Sequence, residues 1–125
     1  MGNIYKKQQT SSGFTLVEIL VVIAVIAVLV TFAILAVGNW RQSTAETEVK
    51  SDLNSLAGAM ESARNFSTGY PTSIPSTFSA SSNVTVTYKS GNAANYCAEG
   101  VSKVVTSVLY HIDSSVSNEP QSGIC

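Results

Sequence analysis

Residues 13–20 read Gly-Phe-Thr-Leu-Val-Glu-Ile-Leu and open an apolar run of about two dozen residues in which Glu18 is the one ionisable side chain. A carboxylate in such a run is expensive, and its presence asks for a partner. A cut between Gly13 and Phe14 would supply one. It frees an α-amine at Phe14, four residues before Glu18 and so about one helical turn, roughly 6 Å, along the axis.

The run covers residues 14–37, which at 1.5 Å each is about 36 Å, longer than a hydrocarbon core of about 30 Å. The other way to use such a helix is to bury it in a soluble core. A chain of this length has no second set of apolar elements large enough to surround it. Upstream, residues 1–13 carry Lys6 and Lys7 and are otherwise polar. An ordinary secretory signal loses its apolar segment on cleavage, whereas here that segment lies downstream of the cut and stays as an anchor. The lysines on the leader side predict a cytoplasmic leader and an external C-terminal part.

The small residue Gly13, the Phe14 after it, the Thr15-Leu16-Val17-Glu18 continuation and the short basic leader resemble the class III prepilin signal of type IV pilins and pseudopilins. The resemblance covers residues 12–40 strongly. It implies that a membrane prepilin peptidase cuts after Gly13 and N-methylates Phe14. It also implies that an assembly platform and its ATPase move the chain from a single-pass position in the cytoplasmic membrane into an extracellular filament. In that helical homopolymer the chain's partner is itself, with Glu18 of one subunit neutralising the Phe14 amine of the next. A buried polar pair then sets register while apolar faces supply adhesion. Many Gram-negative pilins carry a helix-breaking proline in this half. Here none stands between Phe14 and Trp40, so the expected weak point is Gly38-Asn39.

Past the run the helical pattern changes face rather than stopping. Ala45, Val49, Leu53, Leu56, Met60 and Ala63 recur in steps of four and three, one stripe of an amphipathic helix over residues 40–66. Arg41, Glu46, Glu48, Lys50, Asp52, Glu61 and Arg64 fall on the other faces. Glu46 and Lys50 have the spacing of a favourable helical ion pair.

Residues 67–87 hold eleven Ser or Thr in twenty-one, with Pro71 and Pro75, which excludes a long helix and predicts a solvent-facing connection over residues 67–83. Its Gly69-Tyr70-Pro71-Thr72-Ser73 stretch resembles the turn that closes the long helix in small pilins. Val84, Val86 and Tyr88 then alternate with Thr85, Thr87 and Lys89, Ser90-Gly91-Asn92 supply a turn, and Ala94 and Tyr96 alternate with Asn95 and Cys97. This is a hairpin. A third strand over residues 106–113 puts Val108, Tyr110 and Ile112 on one face and Leu109 and His111 on the other. The expected fold is α+β and pilin-like: one long N-terminal helix, half transmembrane (14–39) and half amphipathic, packed on a three-stranded antiparallel sheet (84–113) within a small domain (40–125). Residues 114–125 are expected to be an irregular tail.

So small a core gains from a staple. Cys97 and Cys125 are the two cysteines, and in a domain outside the cytoplasm an even pair is most simply a disulfide, two free thiols being the alternative. Closing that loop is worth roughly 3.6 kcal/mol in the chain-entropy model.

No catalytic constellation is readable. There is one histidine, His111, no Gly-rich phosphate loop and no Ser-His-Asp set, and neither a cofactor nor a metal is expected. The cysteines lack two further zinc ligands, and Asp113 and Glu119 fit no compact calcium cage. The sequons at Asn65 and Asn83 are short enough to arise by chance. Without Lys6 and Lys7 the seven basic side chains become five against eight acidic, a formal net of about −3, which disfavours direct nucleic-acid binding. The reading is a structural protein, not an enzyme: a major pilin of a type IV pilus serving adhesion, motility or DNA uptake. Its rivals are a minor pilin or pseudopilin of a type II secretion or competence system and, more distantly, a bitopic membrane-anchored binding protein.

Overall fold

In a computed structural model, which describes Gly2 and residues 12–125, the elements run α1 (Leu16–Asn65), β1 (Val84–Gly91), β2 (Tyr96–Ser102), β3 (Leu109–Asp113) and β4 (Ser117–Ser122). Lys6 and Lys7 of the expected leader lie outside the described residues. The chain divides into two compact units, residues 1–36 and 37–125.

In the first unit the apolar part of α1 has no buried residue. Ile, Val and Leu have modest helix propensity in water, a preference that counts for little where the backbone must satisfy itself internally. Thr15 starts the helix. Its Oγ1 accepts the Glu18 N–H at 3.2 Å, and a Glu18 carboxylate oxygen accepts the Thr15 N–H at 2.7 Å. This reciprocal capping box satisfies two of the amides a helix start leaves open.

In the second unit the helical stripe meets the sheet as its periodicity predicts. Ala45, Val49, Leu53, Leu56 and Met60 are buried, Ala63 is half-buried, and the helix stops at Asn65 with Phe66 fully outside it. The four strands lie in the order β1-β2-β3-β4, each antiparallel to its neighbour. Across the helix-facing side Val86, Gly100 and Tyr110 form one row, and Tyr88, Ala98 and Ile112 the next. Gly100 permits the close approach. A Cβ there would stand 3.0 Å from a Val49 methyl and 3.2 Å from Leu53 Cγ.

Five expectations need correction. The sheet has four strands, not three, because residues 117–122, Ser-Asn-Glu-Pro-Gln-Ser, pair with β3. The segment has no apolar alternation to announce it. As an edge strand it accommodates Pro120, whose missing N–H would break an interior ladder. The second and third strands are also displaced: β2 begins at Tyr96 and runs to Ser102, and β3 begins at Leu109. Residues 92–95 form the β1–β2 turn, where Asn92 Oδ1 accepts the Ala94 and Asn95 amides.

The loop at residues 67–83 does not simply face solvent. Gly69 and Tyr70 are buried, and Ile74 and Phe78 are half-buried against the core. A small sheet cannot cover the helical stripe alone, and these side chains close its end. The Tyr70 ring meets Tyr96 edge-on at 4.9 Å, its amide donates to the Ala93 carbonyl, and its hydroxyl donates to Glu61. Gly69 sits so close to Ala93 that a Cβ would stand 2.5 Å from Ala93 Cβ.

Asp52, expected among the outward polar residues, is buried and accepts both the Ser81 amide (2.7 Å) and the Ser81 hydroxyl (2.8 Å). It pins the loop to the helix. Asp52→Ala should lower the stability of the domain by about 1–3 kcal/mol, the usual cost of stranding a buried donor. Chemical denaturation of the detergent-solubilised chain measures it, with Thr47→Ala, on an exposed helix position, as the neutral control. The Glu46–Lys50 pair does not form. Glu46 accepts from Gln42 Nε2 at 3.2 Å, and Lys50 lies 4.7 Å over the Tyr110 ring.

β2 is buried on both sides. Behind it Cys97 and Cys125 are disulfide-bonded, with Cα atoms 6.0 Å apart. Glu99 accepts the Cys125 amide at 3.0 Å and pairs with Lys89 Nζ at 3.0 Å. Burial pushes the Glu99 carboxyl up, but the bonds from Lys89 and the Cys125 amide, with the charges of Lys89 and His111, outweigh it and hold its pKa below the usual glutamate value. Beside it His111 Nδ1 lies 3.2 Å from the Gly123 carbonyl.

Candidate functional site

The residues marked by the sequence as functional lie at the start of α1. Gly13 and Phe14 precede the helix and are exposed, Phe14 at 86%. The Gly13–Phe14 bond is open to solvent on an irregular segment, as a scissile bond must be for a peptidase to reach it. A side chain at Gly13 would meet nothing within 4 Å, so packing among the described residues does not require the small residue there.

Glu18 stands one turn further on. Phe14, Val17, Glu18, Val21 and Val22 line one shallow groove on the helix surface. The carboxylate is engaged locally, by Thr15. Thr15 is the residue that the sequence reading passed over, although Thr-x-x-Glu before an apolar run is a legible capping signature. The geometry therefore gives Glu18 an intrahelical role that needs no cleavage.

The apolar surface behind it is continuous. From Leu16 to Val37 every residue is exposed, and this stretch contains a window long and apolar enough to cross a membrane with none of it buried. Among the described residues nothing buries these side chains. Residues 9–34 match the family model of the prokaryotic N-terminal methylation motif.

The chain carries that motif.

It is the class III signal of type IV pilins, and it supports a type IV pilin-like or pseudopilin protein. The matched residues include the Gly13–Phe14 junction, Glu18 and most of the apolar run, and the unburied run fits membrane anchoring before assembly. The motif is that of structural, pilin-type proteins processed by a prepilin peptidase. Residues 35–125 lie outside the match. No curated protein matches the chain.

The α+β arrangement downstream is pilin-like: one long helix packed on an antiparallel sheet. Among the described residues no three His, Cys, Asp or Glu side chains are grouped to hold a metal ion. Asp113 instead accepts the Ser115 amide and hydroxyl, at 2.8 and 2.6 Å, which together hold its pKa below the usual aspartate value.

Proposed function

We propose that the protein is a major subunit of a type IV pilus, held in the membrane by residues 14–39 until it is drawn into a helical homopolymer. The observation that carries this reading is the wholly unburied apolar run behind the methylation-motif junction, interrupted by one carboxylate. An apolar surface of that extent needs lipid first and then other copies of itself. Hydrophobic contact between runs supplies adhesion without direction. Glu18 supplies direction: it gives up the Thr15 amide and takes the Phe14 amine of the next subunit, an amine that exists only after cleavage behind Gly13.

Prepilin peptidase, an assembly platform and its ATPase are the partners this route requires, and adhesion, motility or DNA uptake are the uses of such a filament. N-terminal sequencing of the mature protein tests the processing step, with a methylated Phe14 as the expected first residue. Gly13→Leu is expected to leave the leader in place, because no packing among the described residues requires a small side chain there and its smallness serves the peptidase. A mature N-terminus at Phe14 in that variant would contradict the claim. Negative-stain imaging of a shear fraction tests the rest. Filaments composed mainly of this chain mark a major pilin, whereas its scarcity beside another subunit marks a minor pilin or pseudopilin.

A further inference from the structure

We propose that Trp40 is the outer-leaflet anchor of the membrane-held chain, its indole at the boundary between phospholipid headgroups and acyl chains, where it keeps Glu18 at the opposite headgroup level. The hydrophobic core does not include this side chain. Trp40 is 69% exposed and lies five residues before Ala45, about 140° around the helix from the stripe that packs on the sheet. Of the tyrosines in the domain, Tyr70 and Tyr96 are buried and Tyr88 and Tyr110 pack against the core. The other exposed aromatic of the domain, Phe66, is about 39 Å further along the helix by residue count, far from any bilayer that holds the run.

The surroundings of Trp40 change polarity at its own position. Before it come the last apolar residues of the run, to Val37, and after it come Arg41 and a shallow polar groove, one end of which Trp40 itself lines beside Ser43, Thr47, Glu48, Ser81 and Asn83. An amphipathic ring at such a step has its lowest free energy at a membrane–water interface, the apolar face in acyl chains and the N–H in water. Trp40 comes twenty-two residues after Glu18, about 33 Å at the helical rise, against a hydrocarbon core of about 30 Å. An indole fixed at one interface therefore leaves the carboxylate at the other, among headgroups and not in the acyl core. The cost of placing Glu18 in the span largely disappears before assembly.

The inference rests on the membrane-held state of the proposed function. Trp40 is the sole tryptophan, so its fluorescence reports directly. The processed full-length chain is placed in phosphatidylcholine vesicles carrying bromines either high or low on the acyl chains. The expected result is quenching about twofold stronger by the shallow label. Stronger quenching by the deep label, or water-like emission that neither label quenches, would overturn the anchor.

The depth of Glu18 is read with Leu20→Trp as reporter, combined with either Trp40→Tyr or Trp40→Ala. Tyr also favours interfaces, so the first pair should keep a shallow reporter and the second should shift it toward the deep label. Identical profiles would overturn the positioning role. Carbonate extraction of the same vesicles separates the two readings. A chain that is extracted overturns the proposed function together with the inference. An inserted, filament-forming chain with an unquenched Trp40 overturns the inference alone.

Discussion

Glu18→Val is expected to abolish filaments while leaving membrane insertion and leader removal intact. The valine makes the run more apolar, so insertion does not suffer, and Gly13 and Phe14 keep their exposed position. What disappears is the acceptor for the neighbouring Phe14 amine. Without it, apolar helices can slide past one another with little change in buried area, and no axial register is preferred. The capping box offers a competing explanation, since the same substitution also removes the carboxylate that accepts the Thr15 amide. Thr15→Ala separates the two. It removes the hydroxyl cap on the Glu18 amide but keeps the carboxylate, and filaments should persist. The measurement is immunoblotting of processed chain in membrane and sheared fractions, with imaging of the latter. Normal filament yield from Glu18→Val would sink the assembly role. Equal loss in both variants would assign Glu18 to helix capping.

The second large effect is expected in the domain. Replacing both Cys97 and Cys125 by serine should cost about 2–5 kcal/mol, the usual range for a native disulfide in a small external domain. It should lower the melting temperature by on the order of 10–20 °C for a domain this small. The local consequence is more specific than the global one. Apart from Pro120, β4 contains no apolar side chain, so its place beside β3 depends on ladder hydrogen bonds, the Gly123–Leu109 backbone bond and the covalent tie at Cys125. Once the tie is cut, the Glu99 carboxylate loses a fixed Cys125 amide and its remaining partner is Lys89. Residues 114–125 should then become the first site of proteolysis, while the core of Val49, Leu53, Leu56 and Ile112 persists. Melting followed by near-ultraviolet circular dichroism, with limited proteolysis and mass spectrometry, checks both parts. Unchanged protease resistance in the tail would show that the ladder alone holds β4.

Much of the second unit was legible because its signals are local. The stripe from Ala45 to Met60 follows from the helical period, and the burial of Val84 and Ile112 and half-burial of Val86 follow from strand alternation. The features that were not legible depend on what lies opposite in space. Asp52 looks like any surface acid of a helix until Ser81 is folded against it. The loop reads as polar by composition, yet Tyr70, Ile74 and Phe78 are the side chains that complete the core. β4 has no pattern at all and exists because β3 presents a free edge beside a tethered tail.

The candidate site divides along the same line. Gly13, Phe14, Glu18 and the apolar run could be named from sequence alone, because processing and membrane insertion act on an extended segment and read residues in order. So could the pairing of Cys97 with Cys125, since the chain offers no third cysteine. The tertiary structure decided the number of strands, the docking of the loop, the clamp of Glu99 on the last residue and the exclusion of Trp40 from the core. Each of these is settled by which surfaces meet, and hydrogen bonds between distant residues leave no period in a sequence.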